Sequence, residues 1–190
     1  MNKAIKKVTV HAGHNKNGKI ACGASDWIDE SKEARVITKK VVSLLKKNKV
    51  AAVNCTVNNG TSQSDVLKKI CAKCNSQKNV DLNISIHFNA CSHSVKDGKT
   101  TGVEVLSRSL EKGNIRYEVA NRICQKISAI GFRNRGVKQD MHLYVLNNTT
   151  APTILIEVCF VTDQDDAALY KKNKYGVAKA IVDAVLEYNK

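Results

Sequence analysis

The strongest constraint on the fold is an almost wholly apolar run at residues 153–160, Thr-Ile-Leu-Ile-Glu-Val-Cys-Phe. Its length and its β-branched content predict a strongly buried strand. Glu157 interrupts the run, and an ionised carboxylate in a dry strand is unfavourable without a cation or a partner. We therefore expect Glu157 to lie beside a metal, to be held neutral as a general acid or base, or to face water at a strand edge.

Strand-like and helix-like segments alternate along the rest of the chain. Strands are predicted at residues 8–10, 50–53, 82–87 and 102–107. Helices are predicted at residues 29–48, from Ser62 or Ser64 to Cys74, at 120–130, and from the acidic start at 163–166 to 185. This alternation predicts an α/β fold in which helices cover both faces of one sheet. At 190 residues the chain has the length of a single domain.

Cysteine usage and the N-terminus bear on the cellular compartment. The seven cysteines are odd in number and evenly spread, which does not fit a disulfide framework and indicates synthesis in a reducing compartment. Cys71 and Cys74 fall on the apolar stripe of their predicted helix, so we expect buried thiols rather than zinc ligands. No apolar stretch has the length of a signal peptide or a membrane span. These features predict a protein made in the cytoplasm.

The charge balance favours polyanionic partners. Lysine and arginine total 31 against 17 aspartates and glutamates, which gives a formal net charge of +14. Aromatic residues make up only 5% of the chain and are not interleaved with the basic runs. A nucleic-acid partner is therefore not expected, because such surfaces stack bases on aromatic side chains. A non-catalytic polyanion-binding protein stays open as one alternative.

Histidines lie where two predicted strands end. His87 closes the alternating run at 82–87, and both His11 and His14 follow the strand at 8–10. Functional groups of open α/β sheets gather at the carboxyl ends of strands. A single histidine of this kind is more often a core residue, so the pattern gains meaning only when other residues supply further ligands.

A glutamate at the start of the first predicted helix is the third candidate ligand. At about 100° per residue, Glu30 projects onto the apolar face of the helix, whereas Glu33 is turned about 60° away from it. Register therefore favours Glu30 over Glu33 as the inward residue. A cap or a partner of the helix dipole is the alternative role for a glutamate in this position.

Two histidines and one glutamate from separate elements form a ligand set that zinc uses in catalytic sites with an open position for water. Glu157 would be the additional carboxylate beside that water. The sequence has no Gly-x-Ser-x-Gly elbow, no Walker A loop and no GxGxxG motif. The residues thus favour metal-assisted hydrolysis over nucleophilic catalysis or nucleotide chemistry.

Five segments, in this order, resemble the zinc-dependent N-acetylmuramoyl-L-alanine amidases of the Amidase_3 family. They are residues 10–14, the acidic helix start at Glu30, residues 84–90, residues 135–138, and residues 155–160 with the acidic cluster 163–166 behind them. The resemblance implies a mixed, roughly six-stranded sheet of the zinc-dependent hydrolase type. It implies one Zn²⁺ ion bound by His14, Glu30 and His87, with Glu157 as the catalytic carboxylate.

The resemblance also implies the reaction and its setting. The expected reaction is hydrolysis of the amide between N-acetylmuramic acid and the L-alanine of peptidoglycan, and a zinc peptidase that cuts within the stem peptide is the nearest alternative. Residues 1–190 would form one catalytic domain without a wall-binding domain, as in a phage-type endolysin or a bacterial autolysin. The positive charge would concentrate such an enzyme on anionic wall polymers.

The sequence departs from the family pattern at several positions. His11 stands where many members have an acidic residue, and Ile70 stands where an arginine is common, although Asn75 is retained. His14 is taken as the ligand because it follows the glycine. His93 and His142 have no family counterpart, and surface or structural roles are expected for both.

Overall fold

The apolar runs of the chain pair into one sheet in the computed structural model, which describes residues 4–190. The first three residues of the basic N-terminal segment lie outside this range. The strands are β1 (Lys7–Ala12), β2 (Ala51–Asn54), β3 (Leu82–Asn89), β4 (Val103–Ser107), β5 (Asn134–Gln139) and β6 (Thr153–Phe160). The helices are α1 (Glu30–Lys47), α2 (Gln63–Asn75), α3 (Ile115–Ser128), α4 (Tyr144–Asn148) and α5 (Gln164–Tyr188).

The strands lie in the order β2-β1-β3-β6-β4-β5. Strands β2, β1, β3 and β6 are mutually parallel, whereas β4 is antiparallel to β6 and pairs in parallel with β5. The sheet is therefore mixed and six-stranded, which confirms the expected fold class. The apolar run that opened the analysis forms β6, which has neighbours on both sides.

Strand β5 has no counterpart among the strands predicted from apolar patterning. Its sequence, Asn-Arg-Gly-Val-Lys-Gln, has a single apolar side chain, and its residues are half-buried or exposed. An edge strand has a neighbour on one side only and needs less apolar surface than a central strand. Backbone pairing with β4 therefore defines β5, and residue patterning does not reveal it.

The two faces of the sheet carry cores of unequal size. On one face, α1, α3 and α5 pack against alternate residues of the central strands, among them Val10, Ile84 and Ile156. On the other face, α2 and α4 form a smaller cluster that includes Ile70, Val145 and Leu155. Helices thus cover both faces, as expected from the alternation of elements.

The smaller core contains buried polar groups that satisfy one another. Asn83 of β3 accepts a hydrogen bond from the Thr9 hydroxyl at 2.9 Å and donates to the Thr153 hydroxyl at 3.3 Å. The thiol of Cys74 also donates to the Asn83 side chain, at 3.5 Å. Cys71 and Cys74 are buried and form no disulfide, as predicted for core thiols. No described helix is both long and apolar enough to cross a bilayer.

Asp163 ties the start of α5 to the segment before β4. Its carboxylate caps α5 by accepting from the backbone N–H groups of Asp165 and Asp166, at 2.8 and 3.0 Å. It also accepts from the backbone N–H and the hydroxyl of Thr101. The side chain is fully buried, so its removal would leave several donors without partners.

We expect Asp163→Ala to lower the free energy of unfolding by about 2 kcal/mol, because a helix cap and a buried acceptor are lost together. Urea unfolding followed by circular dichroism measures the change. Asp183→Ala, which removes an exposed ion pair with Lys179, is the control and should leave the midpoint nearly unchanged. Equal destabilisation by the two substitutions would contradict the capping role.

Candidate metal centre and active site

Strand pairing aligns three functional side chains across the sheet. His87 of β3 is the register partner of Glu157 in β6, and Glu157 is in turn the partner of Glu104 in β4. Register partners project from the same face of a sheet. The row His87, Glu157, Glu104 therefore lies on the face covered by α2 and α4.

Glu30 is the point where two histidines converge. It is the first residue of α1, and its Oε1 lies 3.1 Å from His14 Nε2 and 3.0 Å from His87 Nδ1. One ligand atom from each of the three residues falls within 4.8 Å of the others. The structure thus brings together His14, Glu30 and His87 from a loop, a helix start and a strand.

Backbone donors hold the Glu30 carboxylate in place. Its Oε2 accepts from the N–H of Ala24 at 3.0 Å, and its Oε1 accepts from the N–H of Phe88 at 3.2 Å. Gly23 leaves the necessary space, because an added Cβ there would lie 2.4 Å from Glu30 Oε2. Gly13 does the same for His87, whose ring would lie 2.0 Å from a Cβ at that position.

The protonation states suit a cation. Burial opposes ionisation of Glu30, but hydrogen bonds from His14 and His87 outweigh it and lower the pKa of Glu30 below its ordinary value. Burial also lowers the pKa of His87, which favours the neutral imidazole that a metal requires. A carboxylate and two imidazoles are the donor set of catalytic zinc sites, so these residues fit such an ion.

Glu33 is also buried but faces away from this cluster. Its Oε2 accepts from the Tyr170 hydroxyl at 2.9 Å and from Lys174 Nζ at 2.8 Å, both on α5. The register argument identified the glutamate that meets the histidines, but it turned Glu33 away from the core. That expectation was wrong because α5 packs beside α1 and extends the buried surface to Glu33.

Glu157 combines burial with an unused oxygen. Its Oε2 is buried and has no hydrogen-bond partner among residues 4–190. Burial raises the pKa of Glu157 well above its ordinary value, and the nearby charges of Glu30 and Glu104 raise it further. A carboxyl group with these properties is ready to exchange a proton with a bound molecule.

Glu104 lies beside Glu157 but is neutralised by cations. Arg135 Nε and Lys138 Nζ lie 2.6 and 2.5 Å from its Oε2, and Asn89 donates to its Oε1 at 2.9 Å. Burial opposes ionisation of Glu104, yet these basic partners lower its pKa overall. The two register-paired carboxyl groups are therefore driven toward opposite protonation states.

A cavity of about 410 Å³ opens over the cluster. His14, His87 and Glu157 line it together with apolar side chains from two sides. The apolar residues are Val66, Leu67 and Ile70 of α2 on one side and Leu143, Tyr144 and Val145 at α4 on the other. Ile70, one of the positions at which the sequence departs from the family resemblance, thus contributes to an apolar wall.

Two further histidines line the cavity, and one does not. His142 is exposed and lines the cavity beside Leu143, and no pattern in the surrounding sequence predicts this position. His11 is fully buried, and burial lowers its pKa to about 3 while its Nε2 has no partner among the described residues. His93 is exposed in the loop after β3 and lines neither this cavity nor the cluster, as expected for a surface residue.

Arg35 of α1 fixes the loop that presents His14. It donates to the carbonyl oxygens of Gly13 at 3.4 Å and His14 at 3.1 Å, and to that of Val57 at 2.8 Å. His14 itself has a φ of 60°, a left-handed conformation that non-glycine residues adopt only when their surroundings hold them there. The position of the first candidate ligand therefore depends on a residue that the sequence analysis did not single out.

The sequence matches a known protein family. The family model described as N-acetylmuramoyl-L-alanine amidase matches residues 8–187. The endolysin of Bacillus phage SPP1 is 32% identical over 187 residues, covering 96% of this chain and 65% of its own. A 38.4 kDa protein of Clostridium perfringens is 35% identical over 185 residues, covering 94% of this chain and 52% of its own. The chain thus spans between half and two thirds of the length of these relatives.

A solved structure shares the fold. The catalytic domain of the CD27L endolysin targeting Clostridia difficile superposes with a TM-score of 0.81 at 29% identity, covering 96% of this chain and 97% of that domain. The family match covers all four candidate site residues and the strands that carry His87 and Glu157. The chain therefore belongs to the N-acetylmuramoyl-L-alanine amidase family.

Proposed function

We propose that this chain is the catalytic domain of a zinc-dependent amidase, which hydrolyses the amide between N-acetylmuramic acid and L-alanine in bacterial peptidoglycan. The observation that carries the proposal is the convergence of His14 and His87 on Glu30 beside a cavity that Glu157 also lines, with its Oε2 unpaired among the described residues. Family membership supports the choice of reaction.

His14, Glu30 and His87 would hold the zinc ion. Catalytic zinc sites with this donor set keep a coordination position open for water, and both His14 and His87 line the cavity. When bound, zinc would polarise the carbonyl of the scissile amide and lower the pKa of a water molecule. Hydrogen bonds from the backbone N–H groups of Ala24 and Phe88 hold the Glu30 carboxylate in one orientation, directed at the histidines.

Glu157 would move the proton. As a carboxylate it accepts a proton from the attacking water, and as the acid it delivers that proton to the departing amine of L-alanine. Burial and the charges of Glu30 and Glu104 raise the Glu157 pKa, and a cation held by His14, Glu30 and His87 would oppose this effect and favour the carboxylate form. The apolar walls of α2 and α4 would limit access of bulk water to the site.

The setting of the reaction is the bacterial cell wall. The name of the phage relative, an endolysin, and the net charge of +14 support action on walls that carry anionic polymers. Both a phage lysin and a bacterial autolysin fit this chemistry. The proposal concerns residues 1–190 as a catalytic domain, and relatives are longer than this chain.

Digestion of purified cell walls tests the reaction directly. We expect free stem peptides whose new amino terminus is on L-alanine, identified by mass spectrometry, and no release after treatment with a chelator. New amino termini within the stem peptide would instead indicate a zinc peptidase. Undigested walls that retain the protein would favour a non-catalytic polyanion-binding role.

The proton-transfer role predicts a separation of catalysis from metal binding. Glu157→Gln should lower the rate of stem-peptide release by at least about a hundredfold, because the variant cannot accept the proton. Zinc content by elemental analysis should stay at one ion per chain. The exposed Glu111→Gln variant is the control, and retained activity in Glu157→Gln would remove Glu157 from the mechanism.

The ligand set predicts which of two neighbouring buried glutamates binds zinc. Glu30→Gln and His87→Ala should each lose zinc after dialysis, because a ligand is removed. Glu33→Gln should lose stability through its broken contact with Lys174 but keep zinc. His93→Ala is the matched histidine control. Zinc retained by Glu30→Gln and lost by Glu33→Gln would reverse the assignment.

The loop contacts of Arg35 predict an effect on metal affinity without a change of ligand. Arg35→Lys should weaken zinc binding by about tenfold or more, because one ammonium group cannot replace the bonds to the Gly13, His14 and Val57 carbonyls. Competition with a chromogenic chelator measures the affinity. Arg122→Lys, on the surface of α3, serves as the control, and equal affinities in both variants would exclude a positioning role.

A further inference from the structure

A second cavity lies behind the loop that carries His14. Its volume is about 440 Å³, and we call it the basic pocket because of its cationic lining, Lys16, Arg35, Lys39 and Lys73. Arg35 lines this pocket and donates to the Gly13 and His14 carbonyl oxygens, whereas the His14 side chain lines the cavity at the candidate metal centre. Both cavities therefore adjoin the short loop that carries His14.

The lysines of the basic pocket are not paired with carboxylates in the described part of the chain. No carboxylate lines it. Within residues 4–190, Lys16, Lys39 and Lys73 form no ion pair, in contrast to the paired lysines elsewhere: Lys69, Lys126, Lys138, Lys174 and Lys179. Like charges that face one concave surface repel each other and create a focused positive potential, which attracts anions.

The neutral residues of the basic pocket offer unused donors. Asn54 Oδ1 accepts from the Thr56 N–H at 2.9 Å, and Asn58 Oδ1 accepts from Arg35 Nε at 2.8 Å, which fixes the orientation of both amides. The Thr56 hydroxyl oxygen accepts from the Ala12 N–H at 3.0 Å. Both Nδ2 groups and the Thr56 hydroxyl hydrogen donate to no residue in the described part of the chain. Because Asn54 and Asn58 are exposed and Thr56 is half-buried, these donors are available to an acceptor from outside the chain.

We propose that the basic pocket binds phosphate groups of a phosphodiester polymer. A lining of cations and free donors without a free carboxylate is complementary to an oxyanion with several acceptor oxygens. The pocket is wide and carries more than one positive charge, so a chain with repeated negative charges matches it better than a single carboxylate. The choice of a wall polymer over free phosphate rests on the proposed function, since the substrate lies within such walls.

Replacement of the three lysines distinguishes binding at the basic pocket from binding caused by the net positive charge of the protein. The variant Lys16→Gln/Lys39→Gln/Lys73→Gln removes three charges from the basic pocket, and Lys47→Gln/Lys171→Gln/Lys172→Gln removes three exposed charges elsewhere. Isothermal titration with poly(glycerol phosphate), inorganic phosphate and poly-glutamate, at several salt concentrations, compares both variants with the parent chain. Circular dichroism checks that each variant is folded.

We expect the pocket variant to bind poly(glycerol phosphate) at least tenfold more weakly than the parent, and the control variant to change by less than threefold. The magnitude of the negative slope of log K against log salt should decrease by about 2 in the pocket variant, at roughly 0.7 for each of three phosphate contacts. Equal losses in the two variants, or equally pocket-dependent binding of poly-glutamate, would overturn the proposal. Pocket-dependent binding of inorganic phosphate as tight as that of the polymer would overturn the choice of a polymer. Isolated polymer contains no peptidoglycan amide, so these results do not depend on the amidase activity.

Discussion

The pairing of β3 with β6 is the interaction on which the candidate site depends. It sets His87 of one strand beside Glu157 of the next and continues to Glu104 on β4. Because side chains alternate between faces, a slip of one residue would send His87 and Glu157 to opposite sides of the sheet. The same strands bury Ile84, Ile86, Ile154 and Ile156 on the other face, so the apolar core fixes the register that the polar site needs.

Groups that do not line the cavity determine the positions and the charges of the site residues. Glu30 is placed by the start of α1 and by backbone donors, and His14 is placed by a loop that Arg35 holds through its carbonyl oxygens. Glu104 is balanced by Arg135 and Lys138, which leaves its neighbour Glu157 as the carboxyl group with an unpaired oxygen. The pKa values of these two adjacent glutamates shift in opposite directions because their partners differ, although both residues lie on the same face of one sheet.

Local patterns predicted the parts of the structure that local physics determines. The strands of His87 and Glu157 followed from apolar runs, and Glu30 followed from helix register. Strand β5 did not, because its pairing with β4 is a backbone interaction at the sheet edge. Arg35 and His142 were not singled out as site residues, since their positions depend on contacts between segments far apart in sequence. Resemblance to a family supplied the choice of His14 over His11, which single-residue reasoning left open.

The large core and the small core support different parts of the cavity. The large core anchors α1 and the strands behind the candidate metal centre, whereas the small core anchors α2 and α4, which supply the apolar walls. Substitutions at Leu67 or Tyr144, which are half-buried, would reshape the walls with little disturbance of the catalytic geometry. A fold divided in this way allows recognition of the substrate to diversify among descendants while the chemistry stays constant, and such a scaffold is well suited to re-targeting by exchange of one wall.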